Sequence, residues 1–186
     1  ASLAARLSDA ARMSGLPPGR GEDATARPSA VLVPILLRPQ PTVLLTLRAA
    51  TLSSHAGQVS FPGGRIEPGE TPEDAALREA EEEVGLDPSA ARLVGRLPEH
   101  VTGTGFRITP VVALLPPPGA LRPDPSGVAE AFEYALAHLL SPALPEQREG
   151  MWRGRPGATW VWPHERHMIW GATAAILRNL ALLLRD

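Results

Sequence analysis

The sequence predicts an α/β domain in which a mixed β-sheet is covered by helices on both faces, and three observations carry that prediction. Short β-branched or leucine-rich runs recur from Ala30 to Trp162 with Pro- and Gly-rich breaks between them. The segment Pro72–Val84 has the start and stop signals of a helix, and the last stretch, His167 to Arg185, is apolar on one face at spacings of three and four. Strands interleaved with a few helices pack as an α/β/α sandwich.

Ser2 to Met13 places Leu3, Leu7 and Ala10 or Ala11 at helical spacing, and Gly15-Leu16-Pro17-Pro18-Gly19 then opens a polar stretch to Pro28. Residues 1–28 therefore read as a short helix and linker, and 29–186 as the domain. Ala30 to Leu36 and Thr42 to Leu47 flank Arg38-Pro39-Gln40-Pro41 as a strand hairpin, and Val59 to Phe61 is a short strand running into the tight loop Pro62-Gly63-Gly64. Thr71-Pro72-Glu73-Asp74 supplies an N-cap hydroxyl, a proline at the first helical position and an acidic residue three places after the cap; Gly85 supplies the stop. Arg92 to Leu97 and Ile108 to Leu115 read as strands, and Pro116-Pro117-Pro118-Gly119 ends the second of them. Val128 to Leu140 is apolar at Val128, Phe132, Leu136, Leu139 and Leu140, which predicts a helix over its carboxy half; Ala158 to Trp162 is a short strand after an Arg- and Gly-rich loop. His167 to Arg185 closes the domain as an amphipathic helix.

Composition narrows the functions. Cysteine is absent, which removes thiol nucleophiles, CxxC redox motifs and cysteine zinc sites. A net charge of −2 and the lack of a basic stripe with interleaved aromatics argue against a nucleic-acid partner, so phosphate recognition has to be local. With no apolar run long enough to cross a bilayer and no charged segment leading into an apolar one at the amino terminus, a soluble, cytoplasmic protein with no membrane partner is expected. Monomer and homodimer stay open.

The chemistry concentrates in Arg78-Glu79-Ala80-Glu81-Glu82-Glu83-Val84-Gly85-Leu86. Its carboxylates crowd the last turns of a helix, where the backbone dipole is negative, and Glu79 and Glu83, four apart, repel by about 0.2–0.5 kcal/mol. At about 100° per residue Glu79 and Glu83 project together, Glu82 lies beside them and Glu81 points more nearly away. Oxygen ligands so placed suit Mg2+ or Mn2+, and a bound dication would relieve both the repulsion and the dipole. The plainer alternative is a solvated acidic face with Arg78 pairing Glu82.

Gly64, Glu70, Arg78, Glu79, Glu82, Glu83, Gly85 and Leu86 fill the fixed positions of the Nudix box, with Ala80 smaller than the aliphatic residue the pattern prefers. On these residues the chain resembles the Nudix hydrolases. The resemblance implies a loop-helix-loop platform in a Nudix α/β/α sandwich, with Mg2+ or Mn2+ between the glutamates and a substrate diphosphate. It implies a metal site of Glu79, Glu82, Glu83 and Gly63, with Glu82 a further ligand or the water-orienting base and Arg78 holding the glutamates. Members of this fold place the general base in the box or on a separate loop; Glu130 is the candidate outside the box, with an exposed helix-start carboxylate as the alternative.

Upstream, Leu44-Leu45-Thr46-Leu47-Arg48-Ala49 and Gly57-Gln58-Val59-Ser60-Phe61-Pro62-Gly63-Gly64 are similar to the second signature of the coenzyme A pyrophosphatase subgroup, in register throughout, although Ser53 stands where that signature has arginine. Thr104-Gly105-Phe106 and the closing Ile169-Trp170-Gly171-Ala172-Thr173-Ala174 resemble it more loosely. The implied substrate is coenzyme A, split to 3',5'-ADP and 4'-phosphopantetheine; other nucleoside diphosphate derivatives would use the same box, and a binding module that has lost catalysis is the alternative outside the enzymes. Arg48 is the leading phosphate contact, Gly57 belongs to the same motif, and Arg65 and Arg107 are weaker candidates. Phe61 is a base contact or a core residue, and His55 faces substrate or solvent.

Overall fold

The computed structural model describes residues 2–7, 25–53, 55–152 and 154–185. β1 (Arg27–Leu36) and β2 (Thr42–Arg48) form the expected hairpin, but they share only the pairs Ile35↔Val43 and Leu36↔Thr42 before their edges part. Two short strands fill the divergence: β3 (Val59–Ser60) lies against the far end of β2, and β4 (Gly63–Arg65) lies against the start of β1. The Pro62-Gly63-Gly64 segment is thus partly strand, not wholly the tight loop its glycines suggest. A Cβ on Gly63 would stand 2.4 Å from the Ala30 carbonyl oxygen, so glycine is what permits this backbone to join the sheet.

On the other edge of β1 runs β7 (Phe106–Leu115), parallel to it from Arg27↔Phe106 to Leu36↔Leu115, and this pair makes the sheet mixed. β5 (Arg92–Arg96) and β6 (His100–Val101) are antiparallel to β7, and β8 (Val128–Ala135) covers the outer edge of β2. The alternation of side chains across these strands separates two cores. Val33, Ile35, Val43, Leu45, Val112, Leu114, Phe132 and Tyr134 face α4 (Gly171–Leu184), with α3 (Leu136–Leu140) and α1 (Leu3–Leu7) beside it. Ala30, Leu32, Leu44, Val111 and Ala113 face α2 (Pro72–Val84), whose own contribution is Ala75, Ala76, Ala80 and Val84. The α/β/α layering expected from the sequence is the observed one.

α2 has the expected bounds, and β1, β2, β5 and β7 stand close to theirs. Three differences have local causes. Leu136–Leu140 is helical, as expected of the carboxy half of its segment, but Val128–Ala135 ahead of it is a strand, because β2 presents an open edge to Val128 through Ala135. The Arg- and Gly-rich stretch is a strand, β9 (Glu146–Trp152), antiparallel to β10 (Arg155–Val161) in a ribbon of its own. α4 begins at Gly171 and not at His167, since Trp162 bridges to Ile169 and the turn between them is closed by His164, whose Nδ1 accepts from the backbone N–H of Arg166 and of His167, both at 3.1 Å. Of the expected amino-terminal helix, α1 packs on α4 with Leu7 buried and Arg6 donating to the Leu184 carbonyl at 2.6 Å; residues 8–24 lie outside the described residues. No helix among the described residues is long and apolar enough to cross a membrane.

Candidate active site

Helix α2 is fixed at both ends. Thr71 Oγ1 accepts from the Asp74 N–H and the Asp74 carboxylate accepts from the Thr71 N–H, each at 3.1 Å, and Pro72 occupies the first turn. Gly85 ends the helix at φ 75°, its N–H returning to Glu81 O. Ala75, Ala76, Ala80 and Val84 are buried on the sheet, and the rim of the helix beside β4 carries Glu79 and Glu83, with Arg78 and Glu82 farther out.

Arg78 is the hub of this rim. Its guanidinium grips Glu70 through two bonds of 2.9 Å, reaches Glu79 at 3.0 Å and Glu82 at 3.4 Å, and donates to the Arg65 carbonyl at 3.1 Å. That last bond ties the loop after β4 to the helix. The Arg78 bond holds the Glu70 carboxyl below its ordinary range, and the same pairing raises Arg78. Glu70, a fixed position of the box with no role assigned from the sequence, is therefore the clamp for Arg78; its place eight residues ahead of Arg78, across the loop, was the available signal.

Glu79 and Glu83 stand side by side. Burial is the main cause pushing Glu79 up, against the pull of Arg78. Glu83 is pushed up to about 8, first by burial and then by the Glu79 charge, with the Gly63 N–H at 3.4 Å and the positive charge of Arg48 opposing. Gly64 closes over Glu79: a Cβ there would lie 2.6 Å from its carboxyl. Glu82 differs from the expectation of three converging carboxylates, because its side chain is 58% exposed and turned toward Arg78. Among the described residues no three His, Cys, Asp or Glu side chains form a ready-made metal cage. A hydrated Mg2+ or Mn2+ does not require one, since such ions use one or two carboxylates and keep their remaining places for water and substrate phosphate. The partly buried, mutually repelling Glu79 and Glu83 fit that demand, and Gly63 contributes its N–H to Glu83.

Arg48 follows a register shift between β2 and β8 at Leu47/Arg48 and is half-buried, near enough to Glu83 for its charge to be felt there. Its main chain is clamped by Gln58 and Gly57: Arg48 N–H donates to Gln58 O at 2.9 Å, and Gly57 N–H donates to Arg48 O at 3.1 Å. Gly57, at φ 71°, turns the chain at this point. Phe61 is 4% exposed within the α4-side core, which is its packing alternative and leaves no ring face for a base. Arg65 is exposed and serves α2 through its carbonyl, and Arg107 pairs with Glu99 at 3.6 Å.

The helix-start placement expected for Glu130 is corrected by the structure. The residue lies on β8, not at a helix start, opposite Leu47 and two residues from Phe132, both of which belong to the α4 side of the sheet. Arg166 holds its carboxylate at 2.6 and 3.2 Å and His167 at 3.2 Å, and the Arg166 bonds keep its pKa low. A carboxylate on the opposite face, already paired, is poorly placed to take a proton at α2. The cluster of Glu130, His164, Arg166 and His167 was not foreseen, since its members are joined only by the β8 register and the turn before α4.

Residues 26–153 match the NUDIX domain family. The protein named "Uncharacterized Nudix hydrolase NudL" from Escherichia coli O6:H1 is 44% identical over 84% of this chain and 82% of its own length. The protein of the same name from Photorhabdus laumondii is 43% identical over 89% and 88%. Among solved structures, a Nudix hydrolase from M. smegmatis, RenU, superposes with a TM-score of 0.52 at 27% identity, covering 61% of this chain and 73% of its own. DR0079 from Deinococcus radiodurans reaches 0.54 over 86% and 87% at 16% identity, a likeness of fold.

Proposed function

The chain belongs to the NUDIX domain family and is a Nudix hydrolase, and from that premise we propose that it hydrolyses the diphosphate of coenzyme A to 3',5'-ADP and 4'-phosphopantetheine. The observation that carries the reaction is the pair of partly buried, charge-crowded carboxylates Glu79 and Glu83 beneath Gly64 and Gly63, with Arg48 alongside. The substrate rests on the register of Leu44 to Gly64 with the coenzyme A signature.

Nudix hydrolases use divalent metal ions; Glu79 and Glu83 would hold Mg2+ or Mn2+ here, and the bound ion supplies Lewis acidity and a water of lowered pKa. Arg78 holds Glu79 and Glu82 in place through its grip on Glu70. Glu82, the most exposed of the three, orients the attacking water and takes its proton as the new oxygen–phosphorus bond forms and the bridging oxygen leaves with the other phosphate. Arg48 meets substrate phosphate with a guanidinium suited to bidentate contact. The site, like the activity, is expected in the cytoplasm.

Purified protein with Mg2+ or Mn2+ should convert coenzyme A to those two products, resolved by chromatography beside ADP-ribose, NADH and a dinucleoside polyphosphate. Fast turnover of one of the others with negligible coenzyme A cleavage would replace the substrate. Inactivity on all four, with no metal uptake, would favour a binding module.

A further inference from the structure

The β2–β3 loop crosses the gap where β1 and β2 part, and at its tip His55 adopts φ 54°, the left-handed region, alone among the described non-glycine residues. A side chain there costs about 1 kcal/mol or more and persists where surroundings hold it. What holds His55 is its ring. Nδ1 lies 3.1 Å from Gln58 Oε1 and Nε2 lies 3.3 Å from Thr104 Oγ1; Thr104 is in turn 3.0 Å from Thr102 Oγ1, which accepts the Phe106 N–H at 3.1 Å. The polarity is consistent along the chain: Gln58 accepts from Nδ1–H, so Nε2 accepts from the Thr104 hydroxyl, which accepts from that of Thr102.

We propose that His55 is a positioning residue, whose ring latches the β2–β3 loop onto the Val101–Phe106 turn and so holds Arg48 and Gly57 against the site. Gln58, one partner of the ring, is also the residue whose carbonyl clamps the Arg48 N–H, and the His55 carbonyl accepts from Gln58 N at 3.2 Å. The turn on the far side is itself anchored, with Arg27 N–H donating to Gly105 O at 2.8 Å at the head of the β1–β7 pair. The latch therefore ties the arm that carries Arg48 to the arm that carries Gly63 and Gly64. It also gives Thr104, in a segment otherwise explained by strand packing, a task of its own. The inference rests on reading Arg48 as a phosphate contact.

Hydrogen–deuterium exchange tests the latch without substrate, and steady-state kinetics tests its use. His55→Asn keeps a residue tolerant of the left-handed region but is too short to reach Thr104, and Thr104→Val removes the hydroxyl at constant shape. Each should speed exchange across the 49–58 segment and raise KM about fivefold, the loss of one net hydrogen bond, with kcat and melting temperature near those of the parent protein. The double variant should be no worse than the worse single one, and Thr104→Ser should restore the parent values. Unchanged exchange in both single variants, or faster exchange with unchanged KM, would overturn the proposal. Arg48→Ala separates the two readings: a normal KM in that variant would remove the phosphate contact, whereas a raised KM beside normal His55 and Thr104 variants would remove only the latch. Should the parent cleave ADP-ribose and not coenzyme A, the same variants are read on ADP-ribose.

Discussion

Glu83 is ionised with difficulty in the metal-free protein, and the direction of that shift has consequences that can be measured. Its pKa of about 8 lies above the ordinary carboxylate value of 4.5, so the folded state binds the proton that the unfolded state has released. From this group alone, stability of the metal-free protein falls as pH rises through the window between those two values. Metal uptake near neutral pH should expel a proton. Calorimetric titration with Mn2+ in buffers of different ionisation enthalpy reads that release directly. Glu83→Gln should abolish both the proton release and the falling limb of the stability curve, and lower turnover by a large factor with the fold retained; near-normal turnover would remove Glu83 from the site. The residues of this site were legible in the sequence to different depths. Glu79 and Glu83 follow from helix spacing alone, whereas the outward turn of Glu82 depends on Arg78 being anchored by Glu70 across the loop, which no periodicity reports.

Helix α2 owes its definition to local chemistry, which is why its bounds were readable from Thr71 and Gly85. Thr71→Ala removes the cap that satisfies the Asp74 N–H and should cost about 1 kcal/mol, seen as a lower denaturation midpoint with unchanged kcat in the surviving folded protein. Elements defined by partners were less readable. Val128–Ala135 carries apolar residues at both helical and alternate spacing, and the open edge of β2 decides between them. β4 and β9 hold glycine, arginine and glutamate where strands usually hold β-branched residues, so their strand character comes from β1 and β10 rather than from propensity. The turn at 163–170 postpones α4 because the bridge between Trp162 and Ile169 keeps the chain extended as far as Ile169, with the His164 ring closing the turn between them.

Across the whole molecule, one sheet separates two unlike interiors. The α4 side holds Trp162, Leu7, Ile35, Leu177 and Leu180, all nearly or fully buried, and joins the amino-terminal helix to the last one. Leu7→Ala should therefore cost about 2–3 kcal/mol, although residue 7 is near the start of the chain, and should lower the melting temperature by several degrees. A melting temperature equal to the parent's would mean that α1 contributes nothing to the cooperative unit. The α2 side also holds Leu32, Leu36, Leu44 and Val111, but where the helix meets the strands Ala75, Ala76 and Ala80 face Ala30 and Ala113, small residues that let it lie close. Sequence drift should accordingly run at two speeds. Leucine, isoleucine and methionine can trade places beneath α4 at modest cost, while beneath α2 each added methylene lifts the glutamates away from Gly63 and Gly64, so that catalysis fails before folding does.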